Sequence, residues 1–128
     1  MCRMVPEVNR DEFAIFSGVV DSLIPSLRAG CSGAIGGLCN VVPKTVVRAF
    51  ELGTTGGDKK ELAKIQKLIA DADALVTKTG VISGTKYALT YFFGYGGEGR
   101  RPIQPPSSEI RQLVESGFKD IVDYENSL

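Results

Sequence analysis

Residues Phe13 to Gly37 constrain the fold more than any other part of the chain. Phe13 to Phe16 (FAIF) is a short apolar run that reads as a buried strand. SGVVDS follows with turn and cap residues. Leu23, Ile24 and Leu27 then give a short helical face, with Pro25 tolerable only in its first turn. Gly30 stands where a left-handed helix cap is usual, and Gly33 to Gly37 (GAIGG) is a small, apolar second strand. A helical crossover packed into roughly 25 residues makes the two strands parallel. Parallel sheets contain several strands and are covered on both faces. Two short ones leave two unpaired edges. These strands therefore call for neighbours that the 128 residues do not encode, supplied by another chain or by the rest of a larger barrel.

The remainder reads as helix. Pro43 suits a first helical position, Val46, Val47, Phe50 and Leu52 follow, and Gly53 is expected to close the element. After a TTGGD loop, Asp58 and Glu61 form a capping-box pattern. Leu62, Ile65, Leu68, Ile69, Ala72, Leu75 and Val76 repeat at helical spacing, which predicts a helix from about Asp58 to Lys78. Ser83 to Phe93 forms another, with Tyr87, Ala88, Tyr91 and Phe92 on its apolar side. The glycines and prolines of GYGGEGRRPIQPP break both periods. One last helix starts near Ser107 or Ser108, with Ile110, Leu113, Val114, Phe118, Ile121 and Val122 inward. The chain is thus expected to be α/β and helix-rich.

Composition excludes several functions. Fifteen Lys and Arg balance fifteen Asp and Glu, so no basic field favours nucleic acid or an anionic membrane. No apolar stretch is long enough to span a bilayer, and MCRMVPEVNRDE lacks a signal-peptide pattern. A cytoplasmic protein is the default. Cys2, Cys31 and Cys39 form no CxxC pair and histidine is absent, which argues against a zinc site and removes His-based triads. The cysteines are expected to be reduced thiols. No cofactor is implied.

Other motifs reduce to ordinary roles. Gly94, Gly96 and Gly99 match GxGxxG, but RRPIQPP follows where a nucleotide site needs a helix. GVISGTK lacks the spacing of a P-loop. A Schiff-base lysine must be largely unprotonated near neutral pH, and both Lys44 and Lys86 read as solvated lysines on helices. The aromatics Tyr87 to Tyr95 are expected to be core or interface. Arg100 and Arg101 could bind a substrate anion, but structural ties to nearby carbonyls or carboxylates are the expected role. Gly18 and the Gly33–Gly36 run end or form the two strands. They serve either close ligand approach or only turns and packing, and the residues alone leave both open.

Several segments in order resemble one known family. FSGVVDSLIPSLRAGCSGAIGGLCNVVPK (Phe16 to Lys44) and GVISGTKYALTYFFGYGGEGRRP (Gly80 to Pro102) are similar to the closing part of the dihydrodipicolinate synthase and N-acetylneuraminate lyase family, nearest its 4-hydroxy-2-oxoglutarate aldolase-like branch. The resemblance implies the C-terminal fragment of a TIM (β/α)8 barrel. Residues 1–53 would be its last two βα units and residues 54–128 a C-terminal helical bundle. It implies a keto-acid pocket lined by Gly18 and the backbone of Ile35, and an Asn40-Val41-x-Pro43 turn into the next helix. The family's Schiff-base lysine belongs to the sixth barrel strand, which neither Lys44 nor Lys86 matches, so no catalytic residue is assigned here. The implied activity is that of a class I aldolase acting on pyruvate-type 2-oxo acids, with the isolated chain expected to be inactive because it lacks the catalytic lysine. Implied partners are a 2-oxo acid in the complete enzyme and either homo-oligomers or full-length relatives. The alternative is a non-catalytic module that assembles with those relatives.

Overall fold

The computed structural model describes residues 4–128; the Cys2 thiol lies outside them. A 3-10 turn at Val5–Glu7 precedes strand β1 (Phe16–Ser17), helix α1 (Leu23–Arg28) and strand β2 (Gly33–Ala34). A second 3-10 turn (Gly37–Asn40) leads into α2 (Pro43–Thr55), α3 (Lys59–Lys78), α4 (Ile82–Phe93), α5 (Ser108–Gly117) and α6 (Lys119–Ser127). The two strands are parallel, with Phe16 opposite Gly33 and Ser17 opposite Ala34.

The strands are shorter than the apolar runs that announce them, and FAIF is not buried as a unit. Ile15 is buried, whereas Phe13 is 55% and Phe16 48% exposed. A strand gains its hydrogen bonds only from a lateral neighbour. Here that ladder is one strand wide on each side: Ser32 donates to the Ile15 carbonyl at 2.7 Å and Ile35 to that of Ser17 at 2.8 Å. Beyond it the chain stays extended or turns.

The helices close a core among themselves. Leu62, Ile65, Ile69, Ala72 and Val76 of α3 are buried, with Leu68 and Leu75 partly so, as the period predicts. They meet Val41, Val42, Ala49 and Leu52 from the α2 side, and Val114, Phe118, Ile121 and Val122 from the end of the chain. Asp58 caps α3, accepting from the Lys60 and Glu61 amides. Glu61 does not reach back to complete the capping box; its carboxylate takes two 2.8 Å hydrogen bonds from Arg48.

Three expectations need correction. Gly53 does not end α2. The helix runs to Thr55, and Gly56, at φ +72°, supplies the left-handed cap. A Cβ at Gly53 would stand 2.7 Å from Ile24 Cδ1, so this glycine serves the close approach of α1. The last helix is two elements, α5 and α6, meeting at Phe118. Gly117 sits at that junction, where a Cβ would lie 2.5 Å from Leu75 Cδ1, and glycine weakens a helix interior. Finally, Leu113, expected inward, and Tyr91, expected on the apolar side of its helix, are exposed; Val47 and Phe50 of α2 are exposed as well.

Candidate functional site

Gly18 and Ile35 directly follow the two strands, and the register carried one residue further sets them side by side. The Ile35 amide is held by the Ser17 carbonyl, and the Ile35 side chain is 70% exposed. In parallel α/β architectures the C-terminal strand ends are where ligands meet backbone. These two residues thus share one end of the sheet, beside the start of the 3-10 turn at Gly37.

Packing separates the glycines here. At Gly36 a Cβ would stand 2.5 Å from Val20 Cγ2, and Val20 is fully buried, so Gly36 is required by the core. At Gly33 it would meet the Phe16 ring at 3.3 Å. At Gly18 it would meet nothing within 4 Å, and Gly18 is not among the glycines with positive φ. Neither backbone conformation nor contact within the described residues demands glycine at position 18.

The loop that carries Gly18 is held from both sides. The buried Ser17 hydroxyl lies 2.9 Å from the Val19 carbonyl and 2.8 Å from Ser22 Oγ, a local turn of the kind serine favours. Two side chains of α3 then reach Asp21: Gln66 Nε2 donates to its carbonyl at 2.6 Å, and Asp73 Oδ2 accepts from its amide at 3.4 Å. Burial raises the Asp73 pKa above the usual carboxylate range, with the nearby Asp21 charge adding to it. Sequence reasoning missed Gln66 and Asp73. They sit on the polar flank of an amphipathic helix, where nothing in the periodicity distinguishes a tether from a solvated residue.

On the β2 side, Asn40 Nδ2 donates to the Gly37 carbonyl at 3.1 Å, and buried Val41 and Val42 lead into Pro43. Val42 offers α2 no side-chain cap. Glu125 of α6, 3% exposed, does so instead. It accepts from the Lys44 amide at 3.0 Å, the Thr45 amide at 2.7 Å and the Thr45 hydroxyl at 2.7 Å. A carboxylate is favoured at a helix N-terminus by the free amides and the dipole. A link between residues 80 apart is not visible in sequence.

The remaining candidates fall to ordinary roles. Lys86 Nζ donates to the Gly96 carbonyl at 2.6 Å, tying α4 to the glycine-rich loop, and Lys44 is exposed. Tyr87 donates to Glu115 Oε1 at 2.6 Å, a bond that raises the phenol pKa above its usual value, and Arg111 lies 5.2 Å from its ring centroid. Arg100 and Arg101 are exposed and form no side-chain hydrogen bond or ion pair among the described residues, contrary to the structural ties expected of them. Among the described residues no cluster of His, Cys, Asp and Glu could hold a metal, and no helix is long and apolar enough to cross a membrane.

This arrangement has relatives. The chain is 36% identical over 116 residues to the L-threo-3-deoxy-hexylosonate aldolase of Aspergillus niger, covering 91% of this chain and 34% of that protein. It is 35% identical over 116 residues to an Emericella nidulans protein named "Probable 4-hydroxy-2-oxoglutarate aldolase, mitochondrial", covering 91% and 37%. The crystal structure of a dihydrodipicolinate synthase family protein from Coccidioides immitis superposes with a TM-score of 0.81 at 27% identity, over 99% of this chain and 43% of that one. The chain thus spans about a third of the length of the curated relatives it matches. Residues 1–121 match the Dihydrodipicolinate synthetase family, and the chain belongs to that family.

Proposed function

We propose that these residues form the last two βα units and the C-terminal helical region of a class I aldolase barrel acting on pyruvate-type 2-oxo acids. The observation that supports this best is Gly18. It stands beside Ile35 at the C-terminal end of a parallel strand pair, and it is a glycine with no packing or conformational reason to be one. Glycine there leaves room for a 2-oxo acid to lie against backbone. In this reading Gly18 and the Ile35 backbone line one wall of the keto-acid pocket.

The reaction needs an amine. In a class I aldolase a lysine attacks the 2-keto carbon and water leaves as the imine forms. Cleavage of the C3–C4 bond then sends its electron pair into the iminium, which acts as the electron sink. Lys86 is engaged with a carbonyl and Lys44 lies at the start of α2. The amine therefore belongs, in this reading, to a barrel strand outside these 128 residues, and the chain alone is without turnover. The names of the aldolase relatives support the substrate class, because a 4-hydroxy-2-oxo acid is the skeleton that retro-aldol cleavage turns into a pyruvate unit. The free thiols of Cys31 and Cys39 suit a reducing compartment, and we place the chain in the cytoplasm. Exposed Val81, Ile82, Tyr91 and Tyr95 favour association with further copies or full-length relatives.

Borohydride trapping with pyruvate, read by mass spectrometry, tests the assignment. The chain alone is expected to leave Lys44 and Lys86 unmodified. Assembled with the preceding barrel strands of the Aspergillus niger relative, the adduct is expected on a lysine of those strands and to fall severalfold with Gly18→Val. Trapping on a lysine of this chain contradicts the reading, as does aldol turnover by the 128 residues alone.

A further inference from the structure

Gly18 has no means of holding its own position. β1 ends at Ser17 and α1 begins at Leu23, so Gly18 lies in the segment between them. Beyond its chain neighbours, no atom of the described residues comes within 4 Å of where its Cβ would stand. Glycine also has the widest backbone freedom of any residue. A pocket wall built of such backbone must be fixed by what flanks it. On the β2 side Val20 does this, buried against Gly36. On the other side both backbone groups of Asp21 are taken by α3, the carbonyl by Gln66 Nε2 at 2.6 Å and the amide by Asp73 Oδ2 at 3.4 Å.

The arm that makes this grip is firm. Gln66 and Asp73 are seven residues apart, about two turns, and so share one face of α3. Each stands next to a buried residue, Ile65 and Ala72, that anchors the helix beneath it. Stability does not explain the grip. Asp21 is exposed, and α1 already packs on α2 and β2. Burial raises the Asp73 pKa despite the amides of Asp21 and Val20 that face it, so its charge is less stable here than in water. Gln66 Oε1 is buried and has no hydrogen-bond partner among the described residues, which costs stability as well. Two polar residues are thus kept at a cost to the fold, and what they fix is one exposed loop residue just after Gly18. Natural chains give up stability in this way where function needs the geometry.

We propose that Gln66 and Asp73 are positioning residues for the keto-acid pocket: acting through Asp21, they hold the Gly18 wall in place beside the Ile35 backbone. The helical region then has a part in binding the 2-oxo acid. The wall meets the acid alike before and after the imine forms, so loosening it weakens binding more than it slows the chemistry. The proposal rests on the aldolase reading above and adds to it these two residues and their role.

The test is borohydride trapping over a range of pyruvate concentrations. It uses the full 128 residues assembled with the segment of the Aspergillus niger aldolase that precedes the part matched by this chain. Gln66→Ala with Asp73→Ala is expected to raise the half-saturating pyruvate concentration about tenfold and to leave the plateau rate within about twofold. Asp73→Asn keeps an acceptor for the Asp21 amide and is expected to recover most of the binding that Asp73→Ala loses. Lys67→Ala, beside Gln66 but exposed, is expected to change nothing. In the lone chain the double substitution is expected to leave the urea midpoint unchanged or higher, with faster exchange of the Asp21 amide. An unchanged half-saturation overturns the proposal. So does a fall in plateau rate that follows a fall in urea midpoint, the result of a merely structural role. An Asp73→Asn variant as weak as Asp73→Ala overturns it too. A parent assembly that traps no pyruvate refutes the aldolase reading itself, and the positioning role falls with it.

Discussion

The strand pair and the helical region both carry large apolar residues, and these end in opposite states. Ile65, Ile69 and Phe118 are wholly buried, whereas Phe16 is 48% and Ile35 70% exposed. The difference lies in the backbone. A helix satisfies its amides within itself and needs a neighbour only for its apolar stripe. A strand needs lateral partners for its amides as well as cover for both faces. Among the described residues, six helices meet both needs among themselves, while two parallel strands of two residues each cannot. The lesson is that the same chain contains a finished core and an unfinished seam.

The largest expected effect sharpens that contrast directly. Phe118→Ala removes a fully buried ring and is expected to cost about 3–5 kcal/mol of stability. Phe16→Ala in the lone chain is expected to change stability by no more than about 0.5 kcal/mol, as for a surface site. Urea unfolding of the two variants measures both. A large loss from Phe16→Ala would mean that the seam is already part of the core.

Next comes the tie between α6 and the start of α2, the helix that follows the strand pair. Glu125→Ala leaves two amides and a hydroxyl at the start of α2 without an acceptor. The expected loss is about 1–3 kcal/mol, checked by thermal unfolding. A neutral outcome would show that water replaces the carboxylate and that α6 is not needed to hold α2.

The smallest effects concern pH, and the two regions respond with opposite signs. Arg48 holds the Glu61 carboxylate below its usual pKa. That contribution is complete above the unfolded value of about 4.3 and is lost as pH falls through the lower native one. Asp73, beside the Gly18 loop, is raised by burial. Its native state favours the proton, so its contribution is complete below the unfolded value of about 3.9 and is lost as pH rises through the higher native one. Asp73→Asn is therefore expected to remove the stability lost on the rise from acid toward neutral pH. Arg48→Met is expected to weaken the loss on acidification. Urea midpoints between pH 3 and 7 distinguish them.

Much of this was legible in the sequence. The strand–helix–strand order, the parallel pairing, the α3 face and the start of α2 at Pro43 all follow from period and punctuation. The family resemblance implies a pocket role for Gly18 and Ile35; the register places the two residues at one end of the sheet, and the role itself is the proposal made above. What stayed hidden depends on contacts far apart in the chain. The Glu125 cap, the Gln66 and Asp73 tethers and the Gly117 break against Leu75 each join residues that no local pattern relates. The outward turn of Val47 and Phe50 was hidden for another reason. An apolar residue that the fold leaves exposed reads in sequence just like one that it buries.

Native-state amide exchange on the lone chain tests the unfinished seam most directly. The amides of Ser32 and Ile35, which hold β1 to β2, are expected to exchange orders of magnitude faster than those of Ile65, Ile69 and Val122 in the helical core. Protection of the strand amides equal to that of the core would show a sheet complete in itself and contradict the account.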